Sequence, residues 1–184
     1  MSSPVKAESQ VGAVTAVTGQ AIADRTGHSV PLDVGSGLMV QDLIKTGEES
    51  FLAMLLGDAT AMRLGAKAEL LIDEYLIGVK GTFNLTDGAL VFDRPDESVK
   101  TVTTIKTVFG QLGVRGTRFF AGPSRGVFGV FVERGELEVT AAGATQVLES
   151  GDGIDIRSSG ARASGITRWS QDRINEAFAS VAPT

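Results

Sequence analysis

From Val11 to Ile156 the chain reads as short apolar runs, each stopped by glycine or aspartate after a few residues. Phe51-Leu52-Ala53-Met54-Leu55-Leu56 is apolar throughout and ends at Gly57-Asp58; Thr60 to Leu64 resumes the pattern before Gly65. Runs of this length with such stops predict strands rather than helices. Leu70-Leu71-Ile72, Thr82 to Leu85 and Ala89 to Phe92 continue the series, and Asp87-Gly88 between the last two predicts a hairpin turn, because glycine permits positive φ. Thr101 to Val108 is β-branched at most positions, and Arg94-Pro95-Asp96-Glu97-Ser98 before it reads as a solvated loop. Val127 to Val132 is apolar on both faces, whereas Glu136-Leu137-Glu138-Val139 alternates, as a strand with one wet face does.

The period changes near the end. Ile174, Ala177, Phe178 and Val181 fall on one helical face, with Ser170 as a cap and Asp172 in the first turn. This helix, with Trp169, is expected to lie against an open edge or end of the sheet. The strands also carry an internal echo. Gly19, Gly27, Leu32, Gly35 and Gly37 recur 116 residues later as Gly135, Gly143, Leu148, Gly151 and Gly153, with a partial third copy around Gly88. Together these patterns predict an all-β fold of short strands in stacked or sandwiched sheets, solenoid-like and partly repetitive, with one C-terminal α-helix. The expected divisions are a disordered segment over 1–10, a β domain over 11–158, and a linker and packed helix over 159–184.

Composition narrows the function. The 184 residues suit one domain, and 42% apolar content supports a core. A net charge of −5 argues against a general nucleic-acid binder, and no apolar run approaches the ~18 residues of a membrane span. Cysteine is absent, which removes disulfides, thiol catalysis and thiolate metal sites. The opening ten residues are polar and lack the apolar core of a secretory signal, so they read as cytoplasmic or already trimmed.

The search for chemistry returns no catalytic, cofactor or metal constellation. His28 is the single histidine, placed in an expected surface turn. The single histidine stands in the wrong context for a Ser-His-Asp triad, and the glycines at 110, 113 and 116 lack the Gly-Lys-Thr ending of a phosphate loop. Gly151-Asp152-Gly153-Ile154-Asp155 matches one copy of a calcium-binding repeat, too few oxygens for a site. Asp73-Glu74 and Asp96-Glu97 are sequence neighbours that a strand would send to opposite faces.

The singular segment is Leu112-Gly113-Val114-Arg115-Gly116-Thr117-Arg118-Phe119. Its glycines predict a backbone bend with a fixed cation in the middle; Arg115 is expected to be buried and bonded to carbonyls or a carboxylate, the alternative being an exposed recognition residue. Thr107, Gly113, Val114, Arg115, Gly116, Thr117 and Arg118 are the interaction candidates. Between Ser98 and Val132 stand five basic residues and no acidic one, while Glu69 to Glu97 is rich in acid. Neighbouring strands of opposite sign are expected to pair; the alternative is a basic face for an acidic partner.

Taken in order, several short motifs make the chain similar to the FecR domain family, named for a bacterial regulator of ferric citrate uptake. They begin with Gly12-x-Val14, Val17-x-Gly19, Leu32-x-x-Gly35, Asp42-Leu43-Ile44-Lys45-Thr46, Gly57-Asp58-Ala59-Thr60 and Leu71-Ile72-Asp73-Glu74-Tyr75. The most diagnostic is Ile105-x-Thr107 leading into Gly113-Val114-Arg115-Gly116-Thr117-x-Phe119, followed by Glu133-x-Gly135-x-Leu137 and Leu148-x-x-Gly151. The resemblance runs from about Val11 to Ser158. It implies a periplasmic, all-β, non-enzymatic module, which in the best-known members belongs to a sigma-factor regulator that senses an outer-membrane transporter. This chain shows no helical sigma-binding region before Val11 and no receptor-contacting domain after Thr184. The expectation is therefore a stand-alone envelope module without its secretion signal, whose partner is another envelope protein or a glycan, with no nucleic acid and no membrane insertion. A small carbohydrate-active or hydrolytic enzyme and a self-assembling structural module are the alternatives. The oligomeric state stays open.

Overall fold

The structure is a computed structural model that describes residues 9–95 and 101–183. Residues 1–8, 96–100 and 184 lie outside the described residues, and with them most of the expected disordered segment and the whole Asp96-Glu97 pair. The strands are β1 (Gln10–Thr18), β2 (Ala21–Arg25), β3 (His28–Pro31), β4 (Gly37–Met39), β5 (Leu43–Thr46), β6 (Phe51–Leu56), β7 (Thr60–Leu64), β8 (Glu69–Leu76), β9 (Lys80–Asp87), β10 (Leu90–Asp93) and β11 (Val102–Thr107). They continue as β12 (Gln111–Ser124), β13 (Val127–Ala141), β14 (Ala144–Glu149), β15 (Asp152–Ile156) and β16 (Thr167–Arg168), and the chain closes with α1 (Gln171–Ala179). The protein is all-β with one C-terminal helix.

One hydrogen-bonded path joins the strands in the order β3-β2-β5-β8-β9-β11-β12-β10-β7-β6-β1-β4. The path curls because β12 changes neighbours along its length. Its first part, Gln111–Val114, pairs β11, while Arg118–Ala121 pairs β10. β13 follows β12 along both parts and pairs β15 through Phe128–Phe131, then β14 through Glu136–Ala141. The long β12–β13 ribbon thus belongs to two layers. Layer A holds β3, β2, β5, β8, β9, β11, the start of β12, the end of β13 and β14. Layer B holds β4, β1, β6, β7, β10, the remaining parts of β12 and β13, β15 and β16.

Alternation along each strand sends one set of side chains between the layers. Ile44, Ile72, Phe83, Ile105, Leu112 and Leu137 from layer A meet Leu52, Met62, Leu64, Phe92, Phe119 and Val132 from layer B in a single buried cluster. The Phe92 and Phe119 rings stack with centroids 5.4 Å apart. Edge closure uses charge. Asp42 is fully buried and accepts both Arg25 Nε and Nη2 at 2.7 Å and the Met39 N–H at 2.9 Å, while Arg25 Nη2 also reaches the Gly37 carbonyl.

The glycine echo is structural. Gly19 and Gly135 (φ +72 and +87) stand where the chain passes from layer B to layer A. Gly27 and Gly143 (φ +84 and +77) turn the β2–β3 and β13–β14 hairpins. Gly35 and Gly151 (φ +88 and +89) return the chain to layer B. The two units cap opposite ends of layer A, and Leu32 and Leu148 are both buried.

Several expectations are corrected. Gly88 (φ +76) turns the chain, but β9 pairs β8 and β11 while β10 pairs β7 and β12, so it marks a crossing between layers and no hairpin. Positive φ reports a turn and says nothing of which strands meet across it. Asp73 and Glu74 do not take opposite faces, because the register with β9 shifts between Ile72 and Glu74 and leaves both carboxylates on the outer side. Arg94 is buried rather than solvated, donating from Nη1 to Thr60 Oγ1 at 2.6 Å. The helix lies on the outer face of layer B and covers no edge. There Val91, Phe120 and Phe131 form a second cluster with Trp169, Ala177 and Val181, and Ile174 and Phe178 pack on it half-buried. Ser170 caps the helix by accepting the Arg173 N–H.

Candidate interaction surface

The bend in β12 is a bulge. Register with β13 runs evenly to Arg115↔Glu136, shifts, and resumes at Arg118↔Arg134. Of the glycines at 110, 113 and 116, Gly116 alone has positive φ, +49. Thr117 fixes the distortion from inside. It is fully buried, and its hydroxyl lies 2.5 Å from the Arg115 carbonyl oxygen and 2.6 Å from that of Glu136. The Thr117 carbonyl accepts the Arg94 N–H at 3.1 Å, tying the bulge to the end of β10. Val114 is buried in the common core.

Arg115 is therefore pointed outward by the alternation Leu112-in, Val114-in, Thr117-in. It is exposed, and no hydrogen bond or ion pair joins its side chain among the described residues, which overturns the expected burial. The reason is strand alternation up to the bulge, which gives the inward positions to Leu112, Val114 and Thr117 and leaves the Arg115 side chain on the outer face. Arg118 has the opposite fate. It crosses to layer B, donates to Asp93 from Nη1 at 2.9 Å, contacts Glu133 from Nε, and lies 5.9 Å over the Phe178 ring. Arg134 Nη2 completes the set by donating to Asp93 at 2.8 Å. Asp93↔Arg118 is the expected cross-strand pairing of opposite signs. Thr107 is not brought near Arg115. It accepts the Phe109 and Gly110 N–H groups and donates to the Gly110 carbonyl, forming the β11–β12 turn at the other end of that hairpin.

Around Arg115 no described residue covers the outer face of layer A, whereas that of layer B carries α1. Lys80 pairs Val102, and continuation of the β11–β12 register sets Val102 beside Arg115, which faces Glu136, itself opposite Glu149. All five are exposed, Val102 at 71%. Leu76, Ile77 and Val79 at the β8–β9 tip extend the apolar end of this row. Gly113 leaves its floor flat between Thr104 and Glu138. Sequence reasoning isolated Arg115 and missed Val102, Glu136 and Glu149 as its neighbours, although the alternation of Glu136 to Val139 carried the signal for Glu136. On the far side of the layer Asp24 and Lys45 neutralise each other at 3.0 Å.

The candidate chemical groups elsewhere are occupied. Asp155 binds Arg173 through both carboxylate oxygens at 2.7 and 3.2 Å, and Asp152 accepts the Glu149 N–H and faces Arg168. His28 is exposed at the start of β3. Among the described residues no three His, Asp or Glu gather as a metal site, and no helix is long and apolar enough to cross a membrane.

The family model for the FecR protein matches residues 42–138, more than half of the chain, from the buried Asp42 to Glu138 beside the bulge. The chain belongs to the FecR family. The FecR match spans Thr107 and Gly113–Arg118 entirely. Two crystal structures of a protein titled a “putative anti-sigma factor” from Parabacteroides distasonis ATCC 8503 have the same fold, with TM-scores of 0.59 and 0.60 at 16% and 15% identity. Each match covers 72% of this chain and 62% of the other, so the chain spans less than two thirds of that protein. No curated protein matches it significantly.

Proposed function

We propose that this FecR domain is a non-enzymatic regulatory module of the bacterial envelope, periplasmic in location, that acts by binding another protein through the outer face of layer A. The observation that carries the reading is Arg115. A buried threonine and a positive-φ glycine hold the bulge that presents it, yet the guanidinium itself bonds to nothing among the described residues. Structural arginines in the same fold, Arg25 and Arg118, are paired with carboxylates at once. An exposed cation beside a 71%-exposed valine, on a rigid sheet, is the composition of a protein contact: charge steers the encounter and the apolar neighbour is buried on docking. Family membership and the anti-sigma factor title of the structural neighbours support regulation as the purpose of that contact.

The test is a photo-crosslinking amino acid placed at 102 or 115 of the chain exported to a bacterial envelope, with Arg63 on the outer face of layer B as control position. Adducts to a defined protein at 102 and 115 and none at 63 are expected. Equal labelling at all three, or none at 115, would refute the assigned face.

A further inference from the structure

Sheet edges expose unpaired backbone groups, and proteins ordinarily blunt them. Three of the four terminal strands here are blunt. β3 is four residues long and ends in Pro31, β4 has three residues, and β16 has two. β14 is different: Ala144-Thr145-Gln146-Val147-Leu148-Glu149 contains no proline, lysine or glycine and pairs β13 at every position without a bulge. It is joined to β13 by a two-residue turn, Ala142-Gly143, with φ +48 and +77. That turn makes Ala141↔Ala144, Val139↔Gln146 and Leu137↔Leu148 the hydrogen-bonded pairs, so the N–H and C=O of Thr145 and Val147 point away from β13. The Thr140–Thr145 hydroxyl contact at 2.7 Å fits the closer spacing of a non-bonded pair. The linker passes nearby, but it takes the Gln146 side chain on the Ser164 carbonyl and gives the Ser164 N–H to Asp155, so no described residue bonds the outward backbone groups of Thr145 and Val147.

Beside this edge stand Glu136, Glu138 and Glu149, all exposed and without an ion pair among the described residues. Glu136 and Glu149 are direct cross-strand neighbours, like charges that disfavour each other; Arg115 stands across from Glu136 on β12, whereas Glu149 lies on the edge strand itself with no cation paired to it among the described residues. A second copy pairing through β14 would bring two such acidic sets together. A basic strand would instead satisfy backbone and charge in one step.

We propose that β14 is a strand-addition site: an extended, lysine- or arginine-bearing segment of a partner protein pairs with Thr145 and Val147 and sets its cations against Glu136, Glu138 and Glu149. The proposal rests on the reading of the domain as a protein-binding module and names the chemistry of one segment of that partner.

The experiment uses the full chain, labelled with ¹⁵N, and an acetylated hexapeptide alternating lysine with valine; a glutamate-for-lysine peptide is the control. In the free chain the Thr145 and Val147 amides exchange quickly with solvent. The basic peptide slows both at least tenfold, and 0.5 M salt or E138Q/E149Q weakens its binding about tenfold, whereas R115E leaves binding intact. Val147→Pro, which removes an outward N–H, abolishes the protection; the glutamate variants keep the test decisive if that variant fails to fold. Protection of Thr145 and Val147 in the free chain, equal binding of the acidic peptide, protection elsewhere, or a dimer in sedimentation that Val147→Pro dissolves would each overturn the proposal. Slowed exchange of amides around Arg115 in place of Thr145 and Val147 would put the peptide on the Arg115 face instead.

Discussion

Gly135 packs against the backbone of Gly116 where the β12–β13 ribbon bends: a Cβ on Gly135 would strike the Gly116 carbonyl oxygen and come within 3.0 Å of Thr117 Cα. Both residues have positive φ, so each side of the corner is built on glycine. Gly116→Val is expected to destabilise the domain by about 1–3 kcal/mol, and Gly135→Ala by a similar amount, because strain adds to the collision. Urea unfolding measures both; midpoints unchanged from the parent would show that the corner relaxes freely.

Asp42 presents a separate test at the other end of the fold. Its carboxylate is fully buried and holds Arg25 and the Met39 N–H. Asp42→Ala leaves a partly buried guanidinium without that partner and is expected to cost about 3 kcal/mol, discounted slightly for the 22% exposure of the Arg25 side chain. The double change with Arg25→Met should recover part of this loss. Additive losses would mean that the pair does not couple.

The helix is held by its aromatic seat. Trp169 is 7% exposed, lies on the glycines at 129 and 153, and carries the Arg173 guanidinium 3.7 Å from its ring centroid. Trp169→Ala is expected to lower stability by about 3 kcal/mol. Removal of 169–184 should expose Val91, Phe120 and Phe131 and promote aggregation. A truncated chain that melts and sediments like the parent would contradict the covering role.

The strands were legible because their apolar runs and glycine stops are local, and the 116-residue echo was legible because the same positive-φ corners recur at both ends of layer A. What escaped is non-local. Asp87-Gly88 announces a turn, yet which strands flank it in space depends on β7 and β12, far away in sequence. Arg115 and Arg118 look alike in the chain. The bulge at Gly116 sends one to each layer, where Asp93 pairs with Arg118 while Arg115, across from Glu136, closes no ion pair among the described residues. The helix pattern showed an apolar face and could not say whether an edge or a face would receive it, since that choice rests on Val91, Phe120 and Phe131 pointing outward together.

Acid should loosen the helix in part through Glu176. Its hydrogen bond from Arg125 holds the carboxyl below its usual 4.5, so this contact contributes fully above that value and is lost as pH falls through the lowered one. Asp24 is depressed in the same sense by the Ser29 hydroxyl and Lys45. Glu176→Gln should therefore lower Tm slightly at neutral pH, with the difference shrinking as pH falls below 4.5 and in high salt. Parallel Tm curves for parent and variant over that range would exclude the contribution.

The account depends most on Arg115 being a contact residue. The direct measurement is Arg115→Glu, followed by thermal unfolding and by capture of the crosslinked partner at low and high salt. The expected result is a Tm within about 2 °C of the parent, since an exposed, unpaired side chain adds little to stability, together with at least a tenfold loss of capture at low salt. A fold destabilised by the change, or capture that persists at every salt concentration, would contradict it.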